Sequence, residues 1–133
     1  MATHADADLI LRLYDLRREP VCREARAFFA GWKPEDEEEV NAVVSGRVIQ
    51  RNAWLRQVTT YWEMAFSLVN TGAIDETLFA KNCGEGILFT VKCQMLGERF
   101  GQAFARRISE GEAFIQRNAL AAEKAGMMRK RLS

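Results

Sequence analysis

The chain has 133 residues, one domain's worth and long enough to bury a core without staples. Hydrophobic residues make up 48%, which excludes a disordered chain, and no apolar run approaches the roughly 18 residues needed to span a bilayer. The net charge of +1 is unevenly spread: residues 1–46 hold 10 acidic and 6 basic side chains, residues 97–133 hold 4 and 8. The simplest reading is that the two ends lie close and offset each other, with a basic tail for a partner as the sharper alternative. The opening MATHADADLILRLYDLRRE has no basic region ahead of an uninterrupted apolar one, so no export signal is read and a cytoplasmic location is expected. Cys22, Cys83 and Cys93 agree, being odd in number, irregular in spacing and without a CxxC pair.

Only 2 prolines are present and period-two alternation is rare, so the elements should be helices. The first is expected to start near Asp6 or Asp8, with Leu9, Leu13 and Leu16 forming an apolar stripe beside Ile10. Pro20 breaks it and suits the first turn of a second helix, whose buried face should be Val21, Ala25, Phe28 and Trp32 until Gly31 and Pro34 stop it. The run Glu35-Asp36-Glu37-Glu38-Glu39 fits a helix N-terminus, where the macrodipole favours negative charge, better than a metal site or an acidic loop. Val40, Val43 and Val44 continue that short helix, and Ser45-Gly46 is a plausible joint, though one helix through it is compatible with the pattern.

A long helix follows over 47–70, about 36 Å at 1.5 Å per residue. Thr71-Gly72 ends it and Asp75 caps the next, so NTGAIDE is a tight connection between antiparallel helices. A DNA-reading role for it is rejected, because the following turn carries Glu76, Thr77, Leu78 and Phe79 rather than basic side chains. A reset is expected at Cys83-Gly84-Glu85-Gly86, then a second long helix over 87–107. It is apolar nearly all round: Phe89, Cys93, Leu96, Phe100 and Phe104 on one face, Ile87, Val91 and Met95 on the other. A last helix over 111–127 presents Phe114, Ile115, Ala121 and Ala125. Loose ends are expected at 1–6 and 128–133.

Glu63 is the first candidate for chemistry. On a helical wheel centred on Val58, the residues Trp54, Leu55, Tyr61, Trp62, Ala65, Phe66, Leu68 and Val69 share the apolar side. Glu63 falls on the polar flank beside Arg56, Thr59 and Asn70, which reads as a boundary residue paired with an arginine rather than an acid or base. A di-iron bundle needs Glu-x-x-His pairs, and the only histidine is His4, so no metal site is expected. Glu98 lies on the Val91 side and should form a buried ion pair with Arg51, Arg56 or Arg99. Cys83 precedes a helix start, yet no base is at hand, and Cys22 and Cys93 read as small hydrophobes. Gly97 and Gly101 suggest a close helix approach, and no Gly-rich sequence has phosphate-loop form, so no cofactor is expected. Trp54, Tyr61, Trp62 and Phe66, with Glu63 and Glu98, are the speculative ligand-binding set; as an aromatic stripe the four rings read first as core. Arg129-Lys130-Arg131 is too small a footprint for RNA or a membrane.

YWEMAFSLVNTG followed at once by AIDETLF, with the opening LRLYDLRREPVCREAR, resembles a group of uncharacterised bacterial helical proteins. The matched pieces cover about half the chain. The resemblance implies a fold and no chemistry, and no functional residue is carried over from it.

The sequence therefore specifies a single all-α domain, a bundle of about five or six helices with two long central ones. No catalytic constellation is present. The leading expectation is a non-enzymatic, cytoplasmic interaction or scaffold protein that self-associates or binds a partner protein through surplus apolar surface on 87–104, with no nucleic-acid or membrane partner. The alternative is a small-molecule-binding domain or enzyme with a pocket lined by Trp54, Tyr61, Trp62 and Phe66.

Overall fold

Eight α-helices arise because the chain is cut at more places than its hydrophobic periodicity shows. The computed structural model describes residues 1–101 and 104–133. Among these, helices α1 (His4–Arg17), α2 (Pro20–Gly31), α3 (Glu37–Val44), α4 (Ile49–Asn70), α5 (Glu76–Asn82), α6 (Gly84–Phe100), α7 (Ser109–Arg117) and α8 (Ala119–Leu132) follow one another, with a 3-10 turn at Ala105–Arg107 and no strand. The expected five or six helices become eight for local reasons. Gly46, at φ 90, separates α3 from α4, so 36–70 holds two helices. The expected long helix over 87–107 ends at Gly101, whose φ of 102 suits a residue without Cβ. The expected last helix divides at Asn118, which is extended and whose side chain caps α8 through the Ala121 N–H, at 2.9 Å.

Several starts and stops are where the residues demand them. Pro20 occupies the first turn of α2, Asp36 caps α3, and Asp75 caps α5. Thr3 and Asp6 form a reciprocal capping box, so α1 begins at His4, ahead of Asp6, and α8 extends to Leu132.

The buried stripes of the first two helices agree in part with those expected: Ile10, Leu13, Ala25 and Trp32 are buried, whereas Leu16 and Val21 are exposed and Arg17, Cys22 and Phe29 are buried in addition. Arg17 turns inward to Glu85 and sets its guanidinium 3.8 Å over the Tyr14 ring. Helix α4 is the central rod, packed by α2, α3 and α7, while α6 packs on α7 and α8. Both expected faces of α6 are buried: Phe89, Cys93, Leu96 and Phe100 on one, Ile87 and Val91 on the other. The apolar surplus of that helix is thus covered largely by this chain itself.

Gly86 and Gly111, which the sequence did not single out for close approach, each meet a neighbour too near for a side chain. A Cβ on Gly86 would sit 2.5 Å from Cε3 of Trp62, and one on Gly111 would sit 2.3 Å from Oγ1 of Thr90. Gly101 instead terminates α6. No ion pair joins residues 1–46 to residues 97–133 among the described residues; Arg117 pairs with Glu76, and Arg129 with Glu98. The expected offsetting of the two ends is therefore absent as direct pairing.

Candidate functional site

Helix ends leave unpaired backbone groups, and in a fold of eight short rods those ends are numerous. Side chains from other helices satisfy many of them. The Lys124 ammonium donates to the carbonyl oxygens of Ala80 and Lys81 at the end of α5, and Asn52 donates to those of Val43 and Val44 at the end of α3. Lys92 does the same for α2, donating to the carbonyls of Phe29 and Ala30.

Glu63 belongs to this set. Helix α7 has no side-chain cap of its own. The Glu110 N–H donates to Glu63 Oε1 at 3.2 Å and the Ser109 hydroxyl to Oε2 at 3.3 Å, so a carboxylate from α4 caps α7. The expected arginine partner is replaced by these amides. Burial raises the Glu63 pKa above its ordinary value, and the bonds from Glu110, Gly111 and Ser109 oppose that shift. Asn70, two turns on, donates to the Glu110 carbonyl and accepts from Arg117, which completes a polar seam between α4 and α7.

The other expected site residues disperse. Phe66 is fully buried against Phe79 and Phe114. The Tyr61 hydroxyl donates to the Leu13 carbonyl, and burial drives its pKa upward. Trp54 packs on Phe28, with ring centroids 5.6 Å apart. Glu98 is exposed and pairs with Arg129 at 2.7 Å, so the expected buried pair with Arg51, Arg56 or Arg99 is not formed. Its carboxyl lies below its usual range because Arg129 donates to it. Cys22, Cys83 and Cys93 are buried and unpaired, and burial pushes the Cys83 thiol up to about 11, away from nucleophilic use. Among the described residues no cluster of His, Cys, Asp and Glu is arranged to hold a metal ion.

Of the four aromatic candidates, the buried Trp62 is among the residues that line a cavity. This is a half-open groove of about 540 Å³ between α2 and α6. Its floor comes from Val58 and Trp62 of α4 and its walls from Phe29, Trp32, Leu88, Phe89 and Leu96, with Leu132 of α8 contributing. The helix packing explains the space. Helix α2 is drawn onto α4 and α6 onto α8, so α2 and α6 meet only through side chains: Phe29 on Phe89 at 4.8 Å, Arg26 on Glu85 at 3.0 Å, and Lys92 on the α2 carbonyls.

The groove has a charge polarity along α6. Glu85, Lys92 and Arg99 recur every seven residues and all line it. At the first end Glu85 accepts from Arg17 at 3.0 Å and from Arg26, a satisfied half-buried cluster. At the middle and far end stand Lys92, Lys33 and Arg99, and among the described residues none of these three has an acidic partner within ion-pair distance. Burial pulls the Lys92 pKa down to about 8, with the nearby positive charge of Lys33 adding to the shift.

The family whose description reads Domain of unknown function (DUF4760) matches residues 2–108. The chain belongs to that family. The span covered by DUF4760 runs from α1 past the end of α6, so it contains every lining residue of the groove except Leu132. Comparison with curated proteins finds no match, and comparison with solved structures finds none. No helix among the described residues is long and apolar enough to cross a membrane.

Of the groove residues, Arg26, Phe29, Lys33, Leu88 and Lys92 were not singled out by sequence reasoning, and Trp32 and Phe89 were read as core. The one available signal was the seven-residue recurrence of Glu85, Lys92 and Arg99, and charges at that spacing are also what an exposed helical face carries.

Proposed function

We propose that this DUF4760 protein is a non-enzymatic binding protein that takes a ligand in the α2–α6 groove. One observation carries the reading: a half-open, mostly apolar cavity of about 540 Å³ with charged groups confined to its edge. Sites for small ligands typically span roughly 300–1,000 Å³, with apolar walls and a few placed polar groups. The lining favours binding over catalysis. Its single carboxylate, Glu85, is held by two arginines, and its remaining polar side chains are cations, which make no acid–base pair.

The reading is tested by a thermal-shift screen of a chemically diverse library on the native protein and on Met95→Trp, which narrows the groove. A ligand of the folded state raises the melting temperature. Hits that act on the native protein and not on Met95→Trp are the expected result. A screen without hits, or hits that stabilise both proteins equally, would reject the groove as the binding site.

Self-association or a protein partner is the second reading. What favours it is Leu11 and Tyr14 of α1, one turn apart and 65% and 47% exposed. Sedimentation velocity of the native chain and Leu11→Glu decides this, since a monomer in both removes α1 as a self-association face. A cytoplasmic setting accords with three unpaired thiols.

A further inference from the structure

We infer that the ligand of the groove is an amphipathic organic anion: an apolar body lying along Leu88, Phe89 and Leu96, with one carboxylate held along the stretch from Lys92 and Lys33 towards Arg99, away from Glu85. The inference rests on the groove reading above and names the ligand's chemistry. Four cations and one acid line the cavity, and the imbalance lies at one end. Glu85 is fully engaged by Arg17 and Arg26 at the α6 N-terminus. Fourteen residues further along, about 21 Å at 1.5 Å per residue, Arg99 is exposed, with its guanidinium over the Phe100 ring. Lys33 and Lys92 line the same groove with like charge, and no acid pairs with either one among the described residues.

An anion placed there relieves the repulsion between Lys33 and Lys92, whereas a cation adds to it. The apolar lining independently disfavours a small hydrophilic anion, because phosphate or sulfate would leave Leu88 and Leu132, the exposed apolar side chains of the groove, in water. The size of the cavity is that of a small molecule. The ligand class is therefore a monocarboxylate carrying an aliphatic or aromatic body.

The inference carries a pH signature. The groups that face Lys92 are Arg26 from α2, Lys33 from the α2–α3 linker, and Glu85, Cys93 and Arg99 from α6; α4 and α8 present only Val58, Trp62 and Leu132. Cys93 is held neutral by burial, and Glu85 is engaged at the far end. Lys92 is thus the group that changes charge as pH rises through about 8. Binding of a carboxylate must weaken across that interval, while binding of an uncharged analogue must not.

The test is calorimetric titration of the full chain with decanoate, 1-decanol and decyltrimethylammonium, each below its micelle or solubility limit. Decanoate should bind about tenfold or more tightly than either analogue, and Lys33→Gln with Arg99→Gln should remove most of that preference. Both substitutions are on exposed residues, so the fold is retained, and Arg12→Gln, on exposed α1 and outside the groove lining, should leave affinity unchanged. Equal binding of decanoate and decanol, or decanoate affinity unmoved by the two rim substitutions, overturns the anion inference and leaves the groove reading standing. Decanoate binding that persists in Met95→Trp overturns the anion inference by placing the ligand elsewhere, and it counts against the groove as well. If none of the three binds, the anion inference falls, and the library screen separately decides the groove.

Discussion

Along the α4–α7 seam, Phe66, Phe79 and Phe114 pack ring against ring at 5.3 to 5.8 Å, and Gly111 brings the α7 backbone down onto Thr90 and Phe66. Along the α2–α6 face, Phe29 and Phe89 approach just as closely, at 4.8 Å, yet a cavity of about 540 Å³ remains beside them. The difference lies in which helices are drawn together. On the seam, Glu63, Asn70 and Arg117 bond to groups on the opposing helix, and α4 and α7 pack directly. Matched pairs also cross the groove, Arg26 to Glu85 and Lys92 to the end of α2, but α2 packs on α4 and α6 on α8, and among the described residues Lys33 and Arg99 at its edge have no acidic partner. Matched polar pairs alone do not close a seam; the rods must also share a packing face.

The sharpest way to break this comparison is to remove bulk from each side. Phe114→Ala on the seam should cost about 3–5 kcal/mol of unfolding free energy, because its fully buried ring leaves a cavity. Leu88→Ala on the groove wall, at a residue 38% exposed, should cost under about 1 kcal/mol. Urea denaturation of both variants checks the contrast, and equal losses would mean the groove is packed as tightly as the seam.

Charge provides the next contrast. Glu85→Gln leaves Arg17 buried with half its partner, and a loss of about 2 kcal/mol is expected, below the full figure for a buried pair because Glu85 is 35% exposed. Lys33→Gln, on the same groove, should stay within about 0.5 kcal/mol of the native chain. Chemical denaturation in low and high salt separates the two.

The cap on α7 is worth less. Glu63→Ala should cost about 1 kcal/mol, the usual value of an N-cap, and Glu63→Gln less than half of that, roughly, because an amide oxygen still accepts from Glu110. Hydrogen exchange at Glu110 and Gly111 reports the loss locally.

The smallest effect is the titration of Lys92. The folded chain holds its pKa at about 8 against an ordinary 10.5, so between those values the unfolded chain binds more protons and stability rises with pH. The penalty is fully present below about pH 8. The stability difference between the native chain and Lys92→Met should shift toward the native chain by about 1 kcal/mol from pH 7.5 to 10, allowing for partial exposure. Using the difference cancels the buried thiols and Tyr61, which titrate in the same alkaline range in both proteins.

Much of this was legible from local chemistry. Pro20, Asp36, Gly72 and Asp75 announce element ends through properties of single residues, and the all-round apolar character of α6 announces burial. The stripe of α1 was shifted because a wheel ranks Arg17 as polar, whereas it is buried, with its guanidinium over the Tyr14 ring and bonded to Glu85, 68 residues away. Glu63 lies half-buried on the flank, but its partners are the Ser109 hydroxyl and the Glu110 N–H, and a backbone amide is a donor that every residue except proline carries.

What the amino-acid order settled by itself was where rods start and stop and which of their faces avoid water, since capping, glycine conformation and 3.6-residue periodicity act within a few neighbours. What only the assembled fold decided was which rods touch and which stand apart. Whether Trp62 faces solid core or a cavity, and whether Lys92 meets an acid or another lysine, depends on groups dozens of positions away, brought together by the packing of α2 on α4 and α6 on α8.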